Sequence, residues 1–430
     1  MAVRLALMAV VPVFEPSEAR YAAISSNMAR SGDFVVPHFT YDLEYQSFDG
    51  KPPLVFQAGG LFCRALGMGA PWRLQLGVRL FPFLSAALLL LIVYLTVKRF
   101  ADAETGRLAV LVTATCTAFF AAAGISMTDM SLTCCVAGAL LLYECFSRGG
   151  TGRLRYAVGV AALLGAGMIV KGPVALVMFG LPVFVDACVN RRWKDVFNVR
   201  WLVVLPVFLA IAVPWFVLVE QRNPGSVWYF FYNENFMRFI SHDYGDKYGA
   251  GREAFRGVSV LWAFVATLPW ALVPFFRRRR PNWKSFPWLA MLSIIGFWCL
   301  TSRVLLYYLF PIIPLFAVWL VREGDRAWLS RLAVPCSALS VVVCAGALLG
   351  GMFFSDKMRG PATPFEPHRN HYAYEFYHGR KPEAELLKWR NALEAMKAKR
   401  RKAPIDQRTG TSVVPENQRT RTSVVPKEAK

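Results

Sequence analysis

The sequence has few charged residues for its length. Asp, Glu, Lys and Arg make up 18% of the 430 residues, against about 25% in a typical soluble domain. Apolar residues make up 55%, and the mean hydropathy is +0.37. These figures argue against extensive disorder and against an ordinary water-soluble enzyme. They are typical of a protein that crosses a membrane several times.

The chain also lacks paired cysteines. Nine Cys are present, and no two of them have Cys-x-x-Cys spacing, so neither a zinc ribbon nor a redox-active pair is indicated. Eight of them lie in or beside apolar runs, and only Cys63 lies in a polar stretch. We interpret the cysteines as small buried apolar residues.

Long apolar runs dominate the chain instead. A helix needs about 20 apolar residues to cross the hydrocarbon core of a bilayer. Clear candidates are 80–97, 107–124, 129–146, 201–219, 257–276, 285–301, 304–321 and 332–354. The run 156–189 is interrupted by Lys171-Gly172-Pro173, which predicts two short helices that meet at this break. The sequence therefore predicts an all-α, polytopic transmembrane helix bundle of about 10–11 spans.

The start of the chain does not fit this pattern. Residues 3–14 are apolar but contain Pro12 and are too short to span. They also make no convincing signal peptide. Either they form a short re-entrant piece or the first span is incomplete, and we favour the second interpretation.

Lys and Arg are concentrated in alternate connections. The basic connections lie near 98–107, 148–155, 191–200, 277–284 and 322–331. Because such connections face the cytoplasm, loops 15–73 and 220–256 are predicted to lie on the opposite face of the membrane, which in a bacterial inner membrane is the periplasmic face. This distribution explains much of the net charge of +21 without a nucleic-acid partner, since the basic clusters form no continuous face.

The first long loop, 15–73, is rich in polar residues. Ser17 is a plausible N-cap and Gly32 a plausible C-terminal stop, which predicts an interfacial helix over about 18–31. The adjacent pair Gly59-Gly60 predicts a close backbone contact. A solvated connector is the alternative interpretation of this loop.

The second long loop, 220–256, interleaves aromatic residues with charged ones. Glu234 and Arg238 stand at helical spacing among the aromatic side chains. Such a mixture suits a site where a lipid chain meets a polar headgroup, although interfacial anchoring alone would also explain the aromatic residues. Three ionisable residues at span ends on the same face are further functional candidates: Asp129, Lys171 and Arg303. Asp129 follows Thr128 and could instead serve as a helix cap.

The tail after the last span differs in composition. We predict two regions, a membrane-embedded domain over 1–354 and a short basic tail over 355–430 that is largely disordered from about 403. The tail holds a helix-prone stretch at 388–402, a short repeat starting at Thr411 and Thr422, and three histidines at 368, 371 and 378. We interpret these histidines as solvated loop residues rather than metal ligands.

Local sequences in a fixed order resemble a known family. In the first half they are Ser17-Glu18-Ala19-Arg20-Tyr21-Ala22, Ser31-Gly32-Asp33-Phe34, Lys51-Pro52-Pro53-Leu54, Arg79-Leu80-Phe81-Pro82, Thr128-Asp129-Met130 and Lys171-Gly172-Pro173. In the second half they are Asn223-Pro224-Gly225, Tyr229-Phe230-Phe231, Glu234 to Arg238-Phe239, Pro269-Trp270, Ser302-Arg303 and Tyr307-Tyr308. Together they resemble the bacterial polyprenyl-phosphate-sugar glycosyltransferases of the GT-C class. The nearest resemblance is to the aminoarabinose lipid A transferases, which are related to the protein O-mannosyltransferases.

The chain departs from the family pattern at three polar positions. Ser17 stands where the family usually has Asp before Glu, Gly50 stands where it has Glu, and Asn235 stands where it often has His. The last two positions look like divalent-cation ligands in the family, so the resemblance allows a divalent cation, but the usual ligand positions are Gly50 and Asn235 here. We expect the family's large C-terminal domain to be absent or reduced.

The resemblance implies transfer of a sugar from a polyprenyl phosphate, with inversion, to a periplasmic acceptor. The acceptor would be lipid A, another glycan or a protein. Cations should stabilise the departing phosphate, and the candidates are Lys51, Arg238, Arg303, Lys171 and Arg20. Glu18, with Glu15 second, is the predicted base; Asp129 and Glu234 are further site candidates. An inactive relative of the family and a secondary transporter are the alternatives.

Overall fold

The computed structural model describes residues 1–14, 16–41, 44–149, 152–240, 248, 254–276, 282–354, 372–379 and 391. Glu15, His368, His371, the stretch 388–402 apart from residue 391, and the repeat near residues 411–426 lie outside the described residues, so the predictions for them stay predictions.

The described part of the chain is built mainly from α-helices, with one two-stranded hairpin. The helices are α1 (Ala2–Val10), α2 (Ser17–Ser31), α3 (Leu54–Leu66), α4 (Pro71–Phe100), α5 (Ala103–Thr115), α6 (Thr117–Ala122), α7 (Thr128–Ser147), α8 (Arg153–Lys171), α9 (Val174–Asn190), α10 (Trp193–Val196), α11 (Arg200–Arg222), α12 (Ser226–Trp228), α13 (Arg238–Ile240), α14 (Val258–Thr267), α15 (Phe286–Cys299), α16 (Ile312–Glu323), α17 (Arg326–Phe354) and α18 (Tyr372–His378). A π-helix covers Tyr229–Met237, and 3₁₀ turns cover Trp270–Phe276 and Leu306–Leu309.

Five described helices are long and apolar enough to cross a membrane. They are α4, α7, α8, α11 and residues 326–347 of α17. Three shorter apolar helices are α3, α9 and α15. The predicted polytopic helical class is confirmed, whereas the number of crossings stays a prediction.

Helix breaks divide several of the predicted runs. The run 156–189 consists of α8 and α9, which meet at Gly172 with φ of 90°, as the sequence predicted. The run 107–124 was expected to be one span, but it is split between α5 and α6, because Cys116 has an extended backbone. In the run 257–276, α14 ends before Pro269, which cannot donate an intrahelical hydrogen bond.

The basic connections lie together at one end of the bundle. Glu144, near the end of α7, is buried and accepts hydrogen bonds from Arg148 at 2.7 Å and from Arg322 at 2.6 Å. Arg326 at the start of α17 pairs with Asp102, before α5, at 3.0 Å. These ion pairs join chain segments that the alternating charge pattern placed on the same side.

The polar loops meet at the opposite end. The backbone N–H of Ser126 donates to Glu18 at 3.1 Å, which connects the α6–α7 turn with the first loop. The ring of Phe230 packs so closely on Gly172 that a Cβ atom there would overlap it. In the first loop, a Cβ on Gly60 would lie 2.8 Å from the carbonyl oxygen of Ser25. The predicted close contact therefore joins α3 to α2.

A β-hairpin in the first loop was not predicted from the sequence. Strands β1 (His38–Tyr41) and β2 (Glu44–Ser47) are antiparallel, with His38 opposite Ser47 and Phe39 opposite Gln46. The Phe39 side chain is fully buried. Since neighbouring side chains on a strand point to opposite faces, this burial fixes which face of the hairpin is turned outward.

Helix α18, in the predicted tail, packs on the first loop. The Glu375 carboxylate accepts hydrogen bonds from Asn27 at 2.6 Å and from the backbone N–H of Thr40 at 3.0 Å. Arg30 donates to the carbonyl oxygen of Phe376 at 2.9 Å. Residues 372–379 therefore lie at the same end of the bundle as the polar loops.

Candidate active site

Helix α2 supplies the first site residues. Gly32 ends it in a left-handed conformation with φ of 80°, as predicted. The N-cap is Pro16 rather than Ser17, which is the first helical residue and makes no side-chain cap hydrogen bond. The N-cap prediction for Ser17 is therefore wrong; the helix start is held by Glu18, which accepts a hydrogen bond from the backbone N–H of Phe14 at 2.9 Å.

Glu18 forms a buried two-pronged ion pair with Arg79 of α4. The two contacts are 2.8 Å and 2.9 Å long, and the side chains are 2% and 1% exposed. Arg79 also donates to the carbonyl oxygens of Met8 at 2.9 Å and Pro12 at 2.9 Å. The pair thus joins α1, α2 and α4, and this geometry favours a structural role for Glu18 over the predicted role of base.

Burial alone would raise the pKa of the Glu18 carboxyl. The charge and hydrogen bonds of Arg79 outweigh it, with help from the backbone N–H groups of Phe14 and Ser126, and the pKa is lowered from its ordinary value. The carboxylate is therefore held in its ionised form by groups of the protein itself.

The second group of charged residues connects the two long loops. Glu234, in the π-helix, accepts hydrogen bonds from Lys51 at 3.2 Å and from Arg238 at 3.2 Å. The side chain of Glu234 is 4% exposed, whereas those of Lys51 and Arg238 are 16% and 24% exposed. π-Helical segments often occur at functional sites. The two cations are therefore fixed by one buried carboxylate while their outer surfaces remain accessible.

The pKa of Lys51 is lowered, first by burial and then by the positive charges of Arg238 and Lys171, although Glu234 opposes this shift. For Glu234, burial acts to raise the pKa, but Lys51 and Arg238 outweigh it and lower the pKa. Lys51 thus lies among other cations and is partly dehydrated. A bound anion would offset both the repulsion between these cations and the cost of burying the charge of Lys51.

The third group lies where membrane helices begin and end. Asp129, in the first turn of α7, forms an ion pair with Lys171, the last residue of α8. The Nζ atom of Lys171 also lies 4.4 Å from the ring centroid of Tyr308 and 5.8 Å from that of Tyr307. This contact is a cation–π interaction, and it places the 3₁₀ turn Leu306–Leu309 against the α8–α9 break.

Charges of the second and third groups lie within electrostatic reach of one another. The charge of Lys171 acts on Lys51, and the charge of Glu234 acts on Arg20. Tyr21 lies within electrostatic reach of Arg20, Asp129 and Lys171. The structure therefore brings together six of the predicted site residues, namely Arg20, Lys51, Asp129, Lys171, Glu234 and Arg238.

The remaining predicted residues are Glu18, Arg303 and Glu15. Glu18 belongs to the Arg79 ion pair, Arg303 is buried just before the turn that carries Tyr307 and Tyr308, and Glu15 is outside the described residues. Sequence reasoning did not assign Tyr21 to the site or Arg79 as the partner of Glu18. An Arg at the entry to a strongly apolar run was the available signal for Arg79.

The positions at which the family would hold a divalent cation do not fit one here. Gly50 offers only its carbonyl oxygen, which accepts a hydrogen bond from Lys51 at 2.6 Å. Asn235 donates its amide N–H to the carbonyl oxygen of Phe230 at 2.8 Å. No group of three or more His, Cys, Asp or Glu suited to a metal occurs among the residues that the structure describes. Two cations close to these positions in sequence, Lys51 and Arg238, share the carboxylate of Glu234.

Known proteins resemble the chain in both sequence and fold. A family model described as dolichyl-phosphate-mannose-protein mannosyltransferase matches residues 65–217. An undecaprenyl phosphate-alpha-4-amino-4-deoxy-L-arabinose arabinosyl transferase of Edwardsiella ictaluri is 28% identical over 305 residues, which are 64% of this chain and 53% of that protein. A protein of the same description from Pseudomonas fluorescens is 27% identical over 394 residues, 89% of this chain and 67% of that protein.

A solved structure has the same fold. The crystal structure of ArnT from Cupriavidus metallidurans bound to undecaprenyl phosphate superposes with a TM-score of 0.63 at 21% identity, covering 94% of this chain and 79% of that one. The chain spans about half the length of the Edwardsiella relative that it matches. Sequence and fold together confirm the resemblance predicted from the ordered motifs: the chain is similar to aminoarabinose transferases in sequence, and it shares the fold of a solved one.

Proposed function

We propose that this protein is a membrane glycosyltransferase that moves a sugar from a polyprenyl-phosphate donor to an acceptor. The observation that carries the proposal is the cluster of four cations, Arg20, Lys51, Lys171 and Arg238, around the carboxylates of Asp129 and Glu234 at one end of the membrane helices. Relatives in sequence are named as undecaprenyl-phosphate aminoarabinose transferases, which supports a donor of this class.

The charge balance of the cluster suits this reaction. These six residues carry two more positive charges than negative ones. A sugar phosphodiester donor has one negative charge, whereas the polyprenyl phosphate that departs approaches two. An excess of two positive charges therefore stabilises the departing group more than the bound donor, and this difference is what lowers the barrier.

The acceptor oxygen attacks the anomeric carbon on the face opposite the phosphate. The bond from this carbon to the phosphate oxygen breaks, and its electron pair stays on the phosphate near Lys51 and Arg238. When the acceptor is a hydroxyl, its proton passes to a carboxylate. We assign this role to Asp129, because its partner Lys171 belongs to the cation cluster, whereas Glu18 is paired with Arg79 outside that cluster. In-line attack inverts the anomeric centre. We place the reaction on the periplasmic face, because the basic connections lie at the other end of the bundle.

A donor-consumption assay tests the proposal. Purified protein in nanodiscs is mixed with undecaprenyl-phosphate sugars, including the aminoarabinose form, and with an envelope extract that contains lipid A. We expect the wild type to release undecaprenyl phosphate, and Lys51→Ala and Asp129→Asn to lose about 100-fold or more in rate. Lys98→Ala is the matched control, since Lys98 is an exposed cation at the opposite end of the bundle.

A folded wild type that consumes none of these donors would contradict the proposal and favour an inactive relative. Retention of the full rate by Lys51→Ala would show that the cation cluster is not where the donor phosphate binds. A rate that resists EDTA is expected, because Gly50 and Asn235 stand at the family's metal-ligand positions, and Lys51 and Arg238 supply positive charge nearby.

A further inference from the structure

Helix α18 lies next to the cation cluster, although it comes from the tail of the chain. Residues 372–379 are outside the segment 65–217 that the family model matches, and the proposed function uses none of them. Three side chains of α18 are nevertheless buried: Tyr372 is 1% exposed, Glu375 4% and Phe376 0%. This helix therefore belongs to the folded body of the protein rather than to a loose tail.

One face of α2 holds α18 in place. Asn27 donates to the carboxylate of Glu375 at 2.6 Å. Arg30 donates to the carbonyl oxygens of Glu375 at 3.2 Å and Phe376 at 2.9 Å. Arg20 precedes Asn27 by about two helical turns, so the two side chains lie on the same face of α2. Helix α18 therefore packs along the face of α2 that carries Arg20.

Arg20 differs from the other cations of the cluster in the groups that surround it. The other three form ion pairs with carboxylates. The guanidinium carbon of Arg20 lies among aromatic rings, 5.6 Å from the ring centroid of Tyr21, 5.9 Å from that of Phe48 and 5.8 Å from that of Tyr372. Rings at this distance attract a cation without neutralising its charge. The charge of Arg20 thus stays available to an anion.

One hydrogen-bond donor of Arg20 is buried without an acceptor. Among the residues that the structure describes, no group accepts a hydrogen bond from the Nε–H of Arg20, and this atom is shielded from solvent. A buried donor of this kind costs free energy. A phosphate oxygen would satisfy it, because hydrogen bonds between Arg and phosphate are charge-assisted. Arg20 is therefore suited to an anionic ligand as long as its guanidinium keeps this position.

Tyr372 is the ring that α18 contributes beside Arg20. It also packs against Phe39 of the hairpin, with ring centroids 5.8 Å apart, so contacts with two other elements restrict its movement. A long Arg side chain loses rotamer freedom when it binds a ligand, and this loss weakens binding. A fixed ring that restricts the guanidinium beforehand reduces the loss.

We propose that Tyr372 is a positioning residue of the donor site. Its ring holds the guanidinium of Arg20 in the orientation that meets the donor phosphate, and the packing of α18 on α2 holds the ring. Tyr372 acts on the donor only through Arg20. This assignment rests on the proposed function, because Arg20 meets a donor phosphate only if the protein uses such a donor.

Binding of undecaprenyl phosphate measures this role without turnover. The lipid is titrated into the purified full chain in detergent micelles, and binding is followed by thermophoresis. We expect Tyr372→Leu to bind it about fivefold or more weakly, as for loss of a desolvated cation–π contact, and Tyr372→Phe to stay within about twofold of wild type because it keeps the ring. Undecaprenol, which has no phosphate, should bind equally to all three proteins.

Two controls separate positioning from a loss of stability. Tyr377→Leu makes the same change on the same helix, but the hydroxyl of Tyr377 accepts a hydrogen bond from Gln75 at 2.7 Å and does not hold Arg20. It should bind undecaprenyl phosphate like the wild type. Pentafluorophenylalanine in place of Tyr372 keeps the shape of Tyr372→Phe but removes the negative face of the ring, and it should lose the same affinity as Tyr372→Leu.

The double variant Arg20→Gln/Tyr372→Leu shows whether Tyr372 acts through Arg20. It should bind undecaprenyl phosphate no more weakly than Arg20→Gln alone, because the effects of two residues in one interaction are not additive. In the donor-consumption assay, Tyr372→Leu should raise the KM for the donor by the same factor as the Kd.

Three results would overturn the assignment: wild-type affinity in Tyr372→Leu, equal losses in Tyr372→Leu and Tyr377→Leu, or a further loss in the double variant. If the wild type binds undecaprenyl phosphate through Arg20 and Tyr372 but consumes no donor, the transferase proposal fails and the positioning role stands. If the wild type does not bind this lipid, the assignment of Tyr372 fails, and donor consumption alone decides the transferase proposal.

Discussion

Removing one partner of the buried Glu18–Arg79 pair should destabilise the protein strongly. In Arg79→Met, the Glu18 carboxylate would stay buried with only the backbone N–H groups of Phe14 and Ser126 as donors. The carbonyl oxygens of Met8 and Pro12 would lose their hydrogen bonds from Arg79. An uncompensated buried charge of this kind costs about 3–5 kcal/mol. Glu18→Gln keeps the shape and one acceptor, so we expect a smaller loss of about 1.5–3 kcal/mol.

The double variant Glu18→Met/Arg79→Met separates this explanation from simple loss of packing. Because neither charge is then left alone, its loss should be smaller than the sum of the losses of Glu18→Met and Arg79→Met, with a coupling of about 0.5–3 kcal/mol. The pH dependence has a defined sign. Since the folded-state pKa of Glu18 is lowered, its contribution is present above the ordinary Glu pKa of about 4.3. It is lost as the pH falls through the folded-state pKa.

Thermal melting in detergent, followed by fluorescence-detected size exclusion, measures these changes. Turnover per folded molecule is measured on the same samples. If Glu18 has a structural role in the pair with Arg79, Glu18→Gln should have a lower melting temperature and a rate within about tenfold of wild type. If Glu18→Gln has the wild-type melting temperature but loses 100-fold or more in rate, the size expected for a missing base, the structural role is refuted. Glu18 would then be the base, as predicted from the sequence.

Three other changes should have measurable effects. Lys51→Arg keeps the charge but replaces a compact ammonium group with a planar guanidinium group. We therefore expect the KM for the donor to rise several-fold while the melting temperature stays unchanged. An unaltered KM would argue against contact between Lys51 and the donor phosphate. Gly172→Ala adds a Cβ against Phe230 at a positive φ, and it should lower both melting temperature and rate; a silent change would show that the π-helix does not depend on this packing. Burial raises the pKa of Glu375, so its contribution to the docking of α18 is present at low pH and is lost as the pH rises through the folded-state pKa. The rate of amide hydrogen exchange in residues 372–379 should rise with pH in the wild type more steeply than the exchange rate of an unfolded chain does. Glu375→Gln should remove this excess.

Much of the architecture could be predicted from local patterns. Apolar run length predicts membrane helices, because the bilayer thickness sets the number of residues that a span requires. Gly172 and Pro173 predict the end of α8, since one permits a positive φ and the other cannot continue the helix. Lys171 and Arg238 were candidates from the sequence, because a charged group at a span end or among interfacial aromatic residues is a functional candidate by default. Lys51 was a candidate through the family resemblance.

Other features depended on contacts between distant segments. Local sequence around the hairpin gives only a weak strand pattern, and its position depends on Phe39 being buried and on Glu375, more than 300 residues away, accepting the N–H of Thr40. The split at Cys116 likewise has no strong local signal, and the N–H of Thr117 is satisfied by the carbonyl oxygen of Leu268 instead.

The sequence by itself determined the membrane class, the polar and basic ends of the bundle, and the set of ionisable residues available for chemistry. Only the tertiary structure decided how they are paired. Glu18 and Asp129 are both acids near apolar segments, and nothing local distinguishes them. Glu18 is held by Arg79, whereas Asp129 lies with Lys171 inside the cation cluster. The reason is physical: a buried carboxylate must find a partner, and the packing of the helices determines which cation is within reach.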